Sequence, residues 1–207
     1  VYAEQSRGIG MGVKNIIVLE GGEGLVAGII VKNSLKRGMH YLAGEIGHMT
    51  VVPNGPLCGC GRQGCLEAVA SRTAMEREIE AALAAGRPTI LEELIASSKQ
   101  QRLTSGVIAE ALAQQDPLMV EVLESVQFYL GIAVGSIVNF FDPEAVVLGG
   151  GVVEALGESF VAPIGEMARP LFLQQKDADR IRVVPAELGD HAGVLGAAIM
   201  AASRFQQ

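Results

Sequence analysis

Residues 15–36 read NIIVLEGGEGLVAGIIVKNSLK, and the architecture of the chain follows from how this run divides. Asn15–Leu19 is a compact apolar segment, Gly21–Gly24 a turn-rich break, and Ala27–Val31 a second apolar segment; Lys32-Asn33 is a polar turn into a short third piece at Ser34–Lys36. Apolar runs of strand length, separated by Gly- and Asn-bearing turns, predict three antiparallel strands in a meander. Upstream, Tyr2-Ala3-Glu4-Gln5 reads as the end of a helix. Position 1 is Val rather than Met, so the chain is expected to be a piece of something longer.

Downstream of the meander, residues 38–64 are dense in Gly and Pro and predict a long loop. The pattern then becomes helical. Thr73-x-x-Glu76 and Thr89-x-x-Glu92 have capping-box spacing, in which a hydroxyl and a carboxylate satisfy free N–H groups at a helix start. Met75, Ile79 and Leu83 would line one face, and Gly86 with Pro88 would end that helix. Asp116-Pro117 pairs an N-cap with Pro at the first helical position, opening a run to Phe141 whose second half is apolar on nearly all sides and should be buried. Asp142-Pro143 stops it, Ala145–Leu148 is a buried strand, Gly149-Gly150-Gly151 turns the chain, and a helical stretch runs to about Arg169. Ile181–Pro185 is a further strand and His191–Ala201 a last helix. Three meandering strands followed by two strand–helix units predict an α/β fold: an RNase H-like (actin-like ATPase) lobe with a mixed sheet and a helical insertion.

With 49% hydrophobic residues in 207, the chain can bury a large core. The apolar stretches at Ile132–Phe141 and Ala192–Ala202 are too short, or too rich in Gly and Ala, to read as membrane spans, and no basic-then-apolar leader opens the chain. A cytoplasmic protein without membrane partners is expected. The formal charge of -7, with no Lys/Arg cluster, predicts no nucleic-acid contact through this segment.

The three cysteines all lie between positions 58 and 65, too close together for a disulfide framework. With His48 they form H-x9-C-x-C-x4-C in a Gly-rich loop. Thiolates and an imidazole at such spacing suit tetrahedral Zn2+, and a closed set of four ligands (His48, Cys58, Cys60, Cys65) makes the zinc structural rather than catalytic. The alternative is three ordinary thiols buried as small hydrophobes, but Cys58-Gly-Cys60-Gly offers little core to bury them.

Folding this loop around a metal draws Glu45, three residues before His48, and Glu67, two after Cys65, toward one site. Carboxylates accept hydrogen bonds from neighbouring sugar hydroxyls and discriminate their arrangement. His48 could serve twice, one ring nitrogen on the metal and the other toward a hydroxyl. The plainer alternative leaves Glu45 and Glu67 to orient ligands or face solvent.

Gly44-Glu45-Ile46-Gly47-His48 followed by Cys58-Gly-Cys60-Gly-Arg-Gln-Gly-Cys65-Leu-Glu67 resembles the signature of the ROK family, which contains ATP-dependent sugar kinases and sugar-sensing repressors. The resemblance extends through Arg37-Gly38, Asn139-Phe-Phe-Asp142-Pro143, Leu148-Gly-Gly-Gly151 and Gly193-Val-Leu-Gly196-Ala-Ala. It implies a C-terminal lobe spanning 1–207, with a zinc and sugar loop at 38–67, a helical insertion at about 68–141, and an N-terminal lobe missing from this chain. Glu45, His48 and Glu67 would contact the sugar, and His48, Cys58, Cys60 and Cys65 would hold zinc. The family's general base, an Asp, would fall a few residues before Val1, so this segment alone should not turn over substrate. A homodimer or higher homo-oligomer is the assembly the resemblance implies.

Two Gly-rich turns are candidates for ATP with Mg2+: Gly22 and Gly24 in the first, and Gly149, Gly150 and Gly151 in the second, which also opens a helix whose N-terminus favours phosphate. Gly-rich turns are also simply turns. The first departs from the family, carrying Glu23 where Thr is usual and Val26 and Ala27 where glycines are usual. A carboxylate aimed at a triphosphate would repel it unless a metal or a cation intervened. Asp190 is expected to cap the last helix rather than pair with His191 for catalysis, and His40 to be polar surface. Three readings follow: a lobe of a hexose (glucose-like) kinase, the effector domain of a repressor without kinase activity, or a zinc-stabilised binding module. The run from Val152 to Gly157, similar to glucokinase-type members, favours the first.

Overall fold

A computed structural model describes residues 1–204. The elements run α1 (Tyr2–Arg7), β1 (Ile16–Gly21), β2 (Leu25–Val31), β3 (Ser34–Leu35), α2 (Glu67–Ala70), α3 (Arg72–Ala84), α4 (Leu91–Ser97), α5 (Ser105–Ala113), α6 (Pro117–Phe141), β4 (Ala145–Gly149), α7 (Gly151–Leu156), α8 (Glu158–Ala168), β5 (Arg182–Pro185) and α9 (Ala192–Arg204). The sheet order is β3-β2-β1-β4-β5. β1, β2 and β3 pair antiparallel as the meander predicts, while β1–β4 and β4–β5 are parallel, so the sheet is mixed.

β1 and β4 carry unbroken apolar runs because both faces of the sheet are covered. Ile17, Leu19, Val146 and Leu148 point into the main core shared with α6 and α8. Their neighbours Ile16, Val18, Ala145 and Val147 point the other way, into a smaller cluster closed by Val1 and Tyr2 at the start of the chain. By length and composition α6 could cross a membrane, yet 56% of that window is buried inside the fold. It is the central core helix. Its last turn departs from expectation: Phe140 and Phe141 are exposed, because the helix outruns the layers that cover it.

Asp116 opens α6 as the sequence predicts, accepting the N–H of Met119 at 2.9 Å. Its other oxygen accepts from the N–H of Ile90 and the hydroxyl of Thr89, each at 2.9 Å, so one buried carboxylate ties the starts of α4 and α6 together. Burial opposes its ionisation, but the N–H groups of Ile90 and Met119 and the Thr89 hydroxyl outweigh that and hold its pKa below the ordinary carboxylate value. A depressed folded pKa means stabilisation that is present above the unfolded pKa and lost as pH falls through the folded value. Asp116→Ala is expected to cost about 2–4 kcal/mol at neutral pH, since it removes a cap and leaves buried donors unpaired. Thermal melts should show this deficit shrinking as pH is lowered below about 4, the ordinary Asp range.

Three local expectations are corrected. Helix α3 is capped by Ser71, which accepts from Ala74 N–H at 3.2 Å, and not by Thr73, whose hydroxyl donates to the carbonyl of Glu23. Thr89 accepts from Leu91 N–H at 3.1 Å, but its side-chain partner is Asp116 rather than Glu92. The helical stretch to Arg169 is broken at Gly157, whose φ of 55° suits the left-handed side of the map, leaving α7 only six residues long. The small-residue face of α9 meets α1, with Gly196 against Ala3.

Candidate ligand and metal site

The Gly44–His48 segment is pressed onto β2. Ala27 N–H donates to the Gly44 carbonyl at 2.7 Å, and Gly44 has φ of 103° with the Ala27 oxygen 1.9 Å from where a Cβ would stand. Only glycine fits there. The contact fixes the single 3-10 turn Ile46–His48, leaving Glu45 exposed and His48 half-buried at one edge. Isolated bridges from Thr50 to Cys65 and from Leu57 to Gln63 fold the cysteine loop back beside it.

The ligating atoms of His48, Cys58, Cys60 and Cys65 all lie within 4.8 Å of one another, so this set can hold a metal ion. Cys58 Sγ is 3.7 Å from His48 Nδ1, and Cys60 Sγ is 3.7 Å from Cys65 Sγ. Cys58 and Cys65 are buried and Cys60 is exposed. The backbone N–H and guanidinium of Arg62 lower the Cys60 thiol to about 6, whereas burial pushes Cys65 up to about 11.

Glu67 joins this cluster to the sheet. The Cys58 thiol donates toward Glu67 Oε1 at 3.7 Å, and Oε2 accepts the N–H of Leu25 at 3.2 Å. Glu45 and His48 line one open groove of about 530 Å³, together with Leu42, Met49 and Arg62. Glu67 lies in a second hollow with Cys58. Cys58 touches both His48 and Glu67, while Glu45 and Glu67 line separate hollows.

The two Gly-rich turns meet at the C-terminal ends of the parallel neighbours β1 and β4, the edge where open α/β sheets take ligands. Gly150 has φ of 105°, and a Cβ there would stand 1.9 Å from the carbonyl oxygen of Gly21, so the second turn rests directly on the first. A cavity at this junction is lined by Gly21, Gly22, Gly149, Gly151, Arg72 and Ser105, over an apolar floor. Gly24 departs from this group and stands over Glu67 Oε2, 2.7 Å from where its Cβ would be. Glu23 is turned outward, with Oε1 3.4 Å from Arg102 and 3.8 Å from Arg72.

Sequence reasoning missed Arg62, Arg72 and Ser105. Arg62 carried a signal, as a cation inside the cysteine loop; Arg72 and Ser105 carried none, since only the packing of α3 and α5 brings them to the Gly turns. Asp190 lies inside a 3-10 turn, Gly189–His191, one residue earlier than an N-cap of α9 would sit. His40 is exposed.

The ROK family model matches residues 1–204, and the chain belongs to that family. It is 34% identical over 195 residues to a glucokinase of Halalkalibacterium halodurans, covering 93% of this chain and 58% of that protein. The chain therefore spans about three-fifths of the length of this curated relative. Among solved structures it is similar to a ROK family glucokinase from Streptomyces griseus in complex with glucose and AMPPNP, at 33% identity and a TM-score of 0.81, covering 96% of this chain and 64% of that one. It is equally similar to a ROK family transcriptional regulator, a homolog of the E. coli MLC protein, at 31% identity and a TM-score of 0.82, covering 95% and 48%.

Proposed function

We propose that the chain is the C-terminal lobe of a ROK-type hexose kinase, acting on glucose or a glucose-like sugar in the cytoplasm, with a metal and sugar loop at 38–67 and a helical insertion at about 68–141. The observation that carries this reading is the direct contact of two Gly turns at the ends of β1 and β4, on the same lobe as the carboxylates Glu45 and Glu67. Glucose and AMPPNP in the S. griseus relative support it. Glu45, His48 and Glu67 would accept and donate hydrogen bonds to sugar hydroxyls, holding the attacking oxygen in place; phosphoryl transfer is mostly a matter of such positioning and of charge stabilisation. The turns Gly21–Gly24 and Gly149–Gly151 would take the phosphates of ATP, with Mg2+ neutralising their charge. The general base would come from the segment preceding Val1, and a homodimer is the proposed assembly.

The metal is proposed to be zinc. In a tetrahedral site with Zn–S bonds of about 2.3 Å, neighbouring ligand sulfurs stand about 3.8 Å apart, and the 3.7 Å separation of Cys60 and Cys65 fits that spacing. His48 turns Nδ1 toward the cluster, which leaves Nε2 for the groove. Four protein donors leave no position for a substrate, so zinc would order the loop that carries Glu45 and Glu67.

A coupled assay of glucose phosphorylation by the full-length protein tests the kinase reading; ATP-dependent turnover supports it, and sugar binding without turnover overturns it. The second reading is the effector domain of a repressor. It is favoured by Glu23 in the first turn and by the likeness to the transcriptional regulator.

A further inference from the structure

Arg72 occupies an unusual position between the two Gly turns and the carboxylate that departs from the family pattern. Its backbone N–H donates to the Gly22 carbonyl at 2.9 Å, which sets the first residue of α3 against the first turn. Its side chain, one-quarter exposed, is the only charged one among the described residues that line the cavity where the turns meet. Arg72 Nη2 is 3.8 Å from Glu23 Oε1, and that same oxygen is 3.4 Å from Arg102 Nη1. The backbone of Glu23 is held as well, its carbonyl accepting from the Thr73 hydroxyl at 3.2 Å. One carboxylate thus faces two guanidiniums, and only one of those borders the cavity.

We infer that Arg72 is a ligand for nucleotide phosphate, kept beside Glu23 until a phosphate takes it over. The inference rests on the kinase reading. Long, partly exposed ion pairs are weak, so the Arg72–Glu23 contact is readily exchanged. A phosphate offers the guanidinium two oxygens at once, a stronger geometry than one carboxylate oxygen at 3.8 Å. When Arg72 turns to the phosphate, Arg102 retains Glu23, so the carboxylate does not confront the triphosphate alone. This arrangement reconciles an acidic residue in the first turn with an anionic ligand beside it.

The test is titration of the full-length protein with Mg-AMPPNP and, separately, with inorganic tripolyphosphate. Arg72→Ala is expected to weaken both by about tenfold or more, the loss of a charge-assisted hydrogen bond, while glucose affinity and zinc content stay at wild-type values. Arg72→Lys should recover part of the loss, and Glu23→Gln in the otherwise wild-type protein should strengthen binding a few-fold. Unchanged affinity in Arg72→Ala overturns the inference and leaves the kinase reading standing. Full rescue of Arg72→Ala by adding Glu23→Gln overturns it too, because Arg72 would then act only by neutralising Glu23. Absence of nucleotide binding by the wild-type protein, with glucose binding intact, overturns both the inference and the kinase reading.

Discussion

Replacing Cys65 by serine is expected to empty the proposed metal site and disorder the cysteine part of the loop at 38–67 while leaving the sheet and its helices assembled. Cys65 is fully buried, and its backbone pairs with Thr50 across an isolated bridge, so its sulfur is the donor best fixed by the surrounding fold. Ile46 and Leu66 tie the loop to the main core, but its cysteine part packs mostly on itself: Cys58 and Cys65 form a small separate cluster with Ala68. The proposed metal would therefore supply much of the order of that cysteine part. Loss of the metal should lower stability by about 3–5 kcal/mol, less than a zinc finger loses because most of this lobe folds around the large α6 core. Metal analysis of purified Cys65→Ser should give no stoichiometric zinc, and hydrogen exchange should lose protection in the cysteine part of 38–67 but not in β1, β4 or α6. Retention of one zinc per chain would mean that Cys65 is a buried thiol and not a ligand. Zinc uptake by the wild-type protein should also release protons, because Cys65, raised to about 11 by burial, must give up its proton on ligation. Zinc affinity should accordingly rise with pH between 6 and 8.

Glu67→Ala is expected to weaken glucose binding by about 10- to 100-fold, the range for losing a charge-assisted hydrogen bond to a hydroxyl, with zinc still bound. The two expectations separate because Glu67 lies beside the metal cluster without belonging to its four donors: Oε1 is 3.7 Å from Cys58 Sγ, and Oε2 accepts from Leu25 N–H. Glu67→Gln retains an oxygen for Leu25 and should lose less. Calorimetric titration with glucose, alongside metal analysis, checks both. Metal loss before any loss of sugar affinity would make Glu67 a structural prop and would leave Glu45 and His48 as the only sugar contacts proposed on this lobe.

The strands, the Asp116-Pro117 helix start and the cysteine–histidine set were legible because each is written in local sequence. Alternating turns and apolar runs set the meander, an N-cap followed by proline marks a helix, and four metal-type donors within eighteen residues can hardly avoid meeting. What stayed hidden depends on distant packing. Thr73 has the chemistry of a cap but spends its hydroxyl on Glu23, so Ser71, two residues earlier, does the capping. Glu23 read as an obstacle to phosphate because nothing near it in sequence is cationic; Arg72 and Arg102 reach it only after α3 and the loop before α5 fold over the first turn. The contact between Gly150 and Gly21 is likewise a product of β1 and β4 lying side by side, since neither turn alone distinguishes a phosphate cradle from an ordinary bend.

Isothermal titration of the zinc-loaded full-length protein with Mg-AMPPNP, with and without saturating glucose, decides whether one lobe takes sugar and nucleotide together. Saturable nucleotide binding that glucose strengthens is the predicted result. Glucose binding with no nucleotide binding at all would contradict it and leave a sugar sensor of the repressor type.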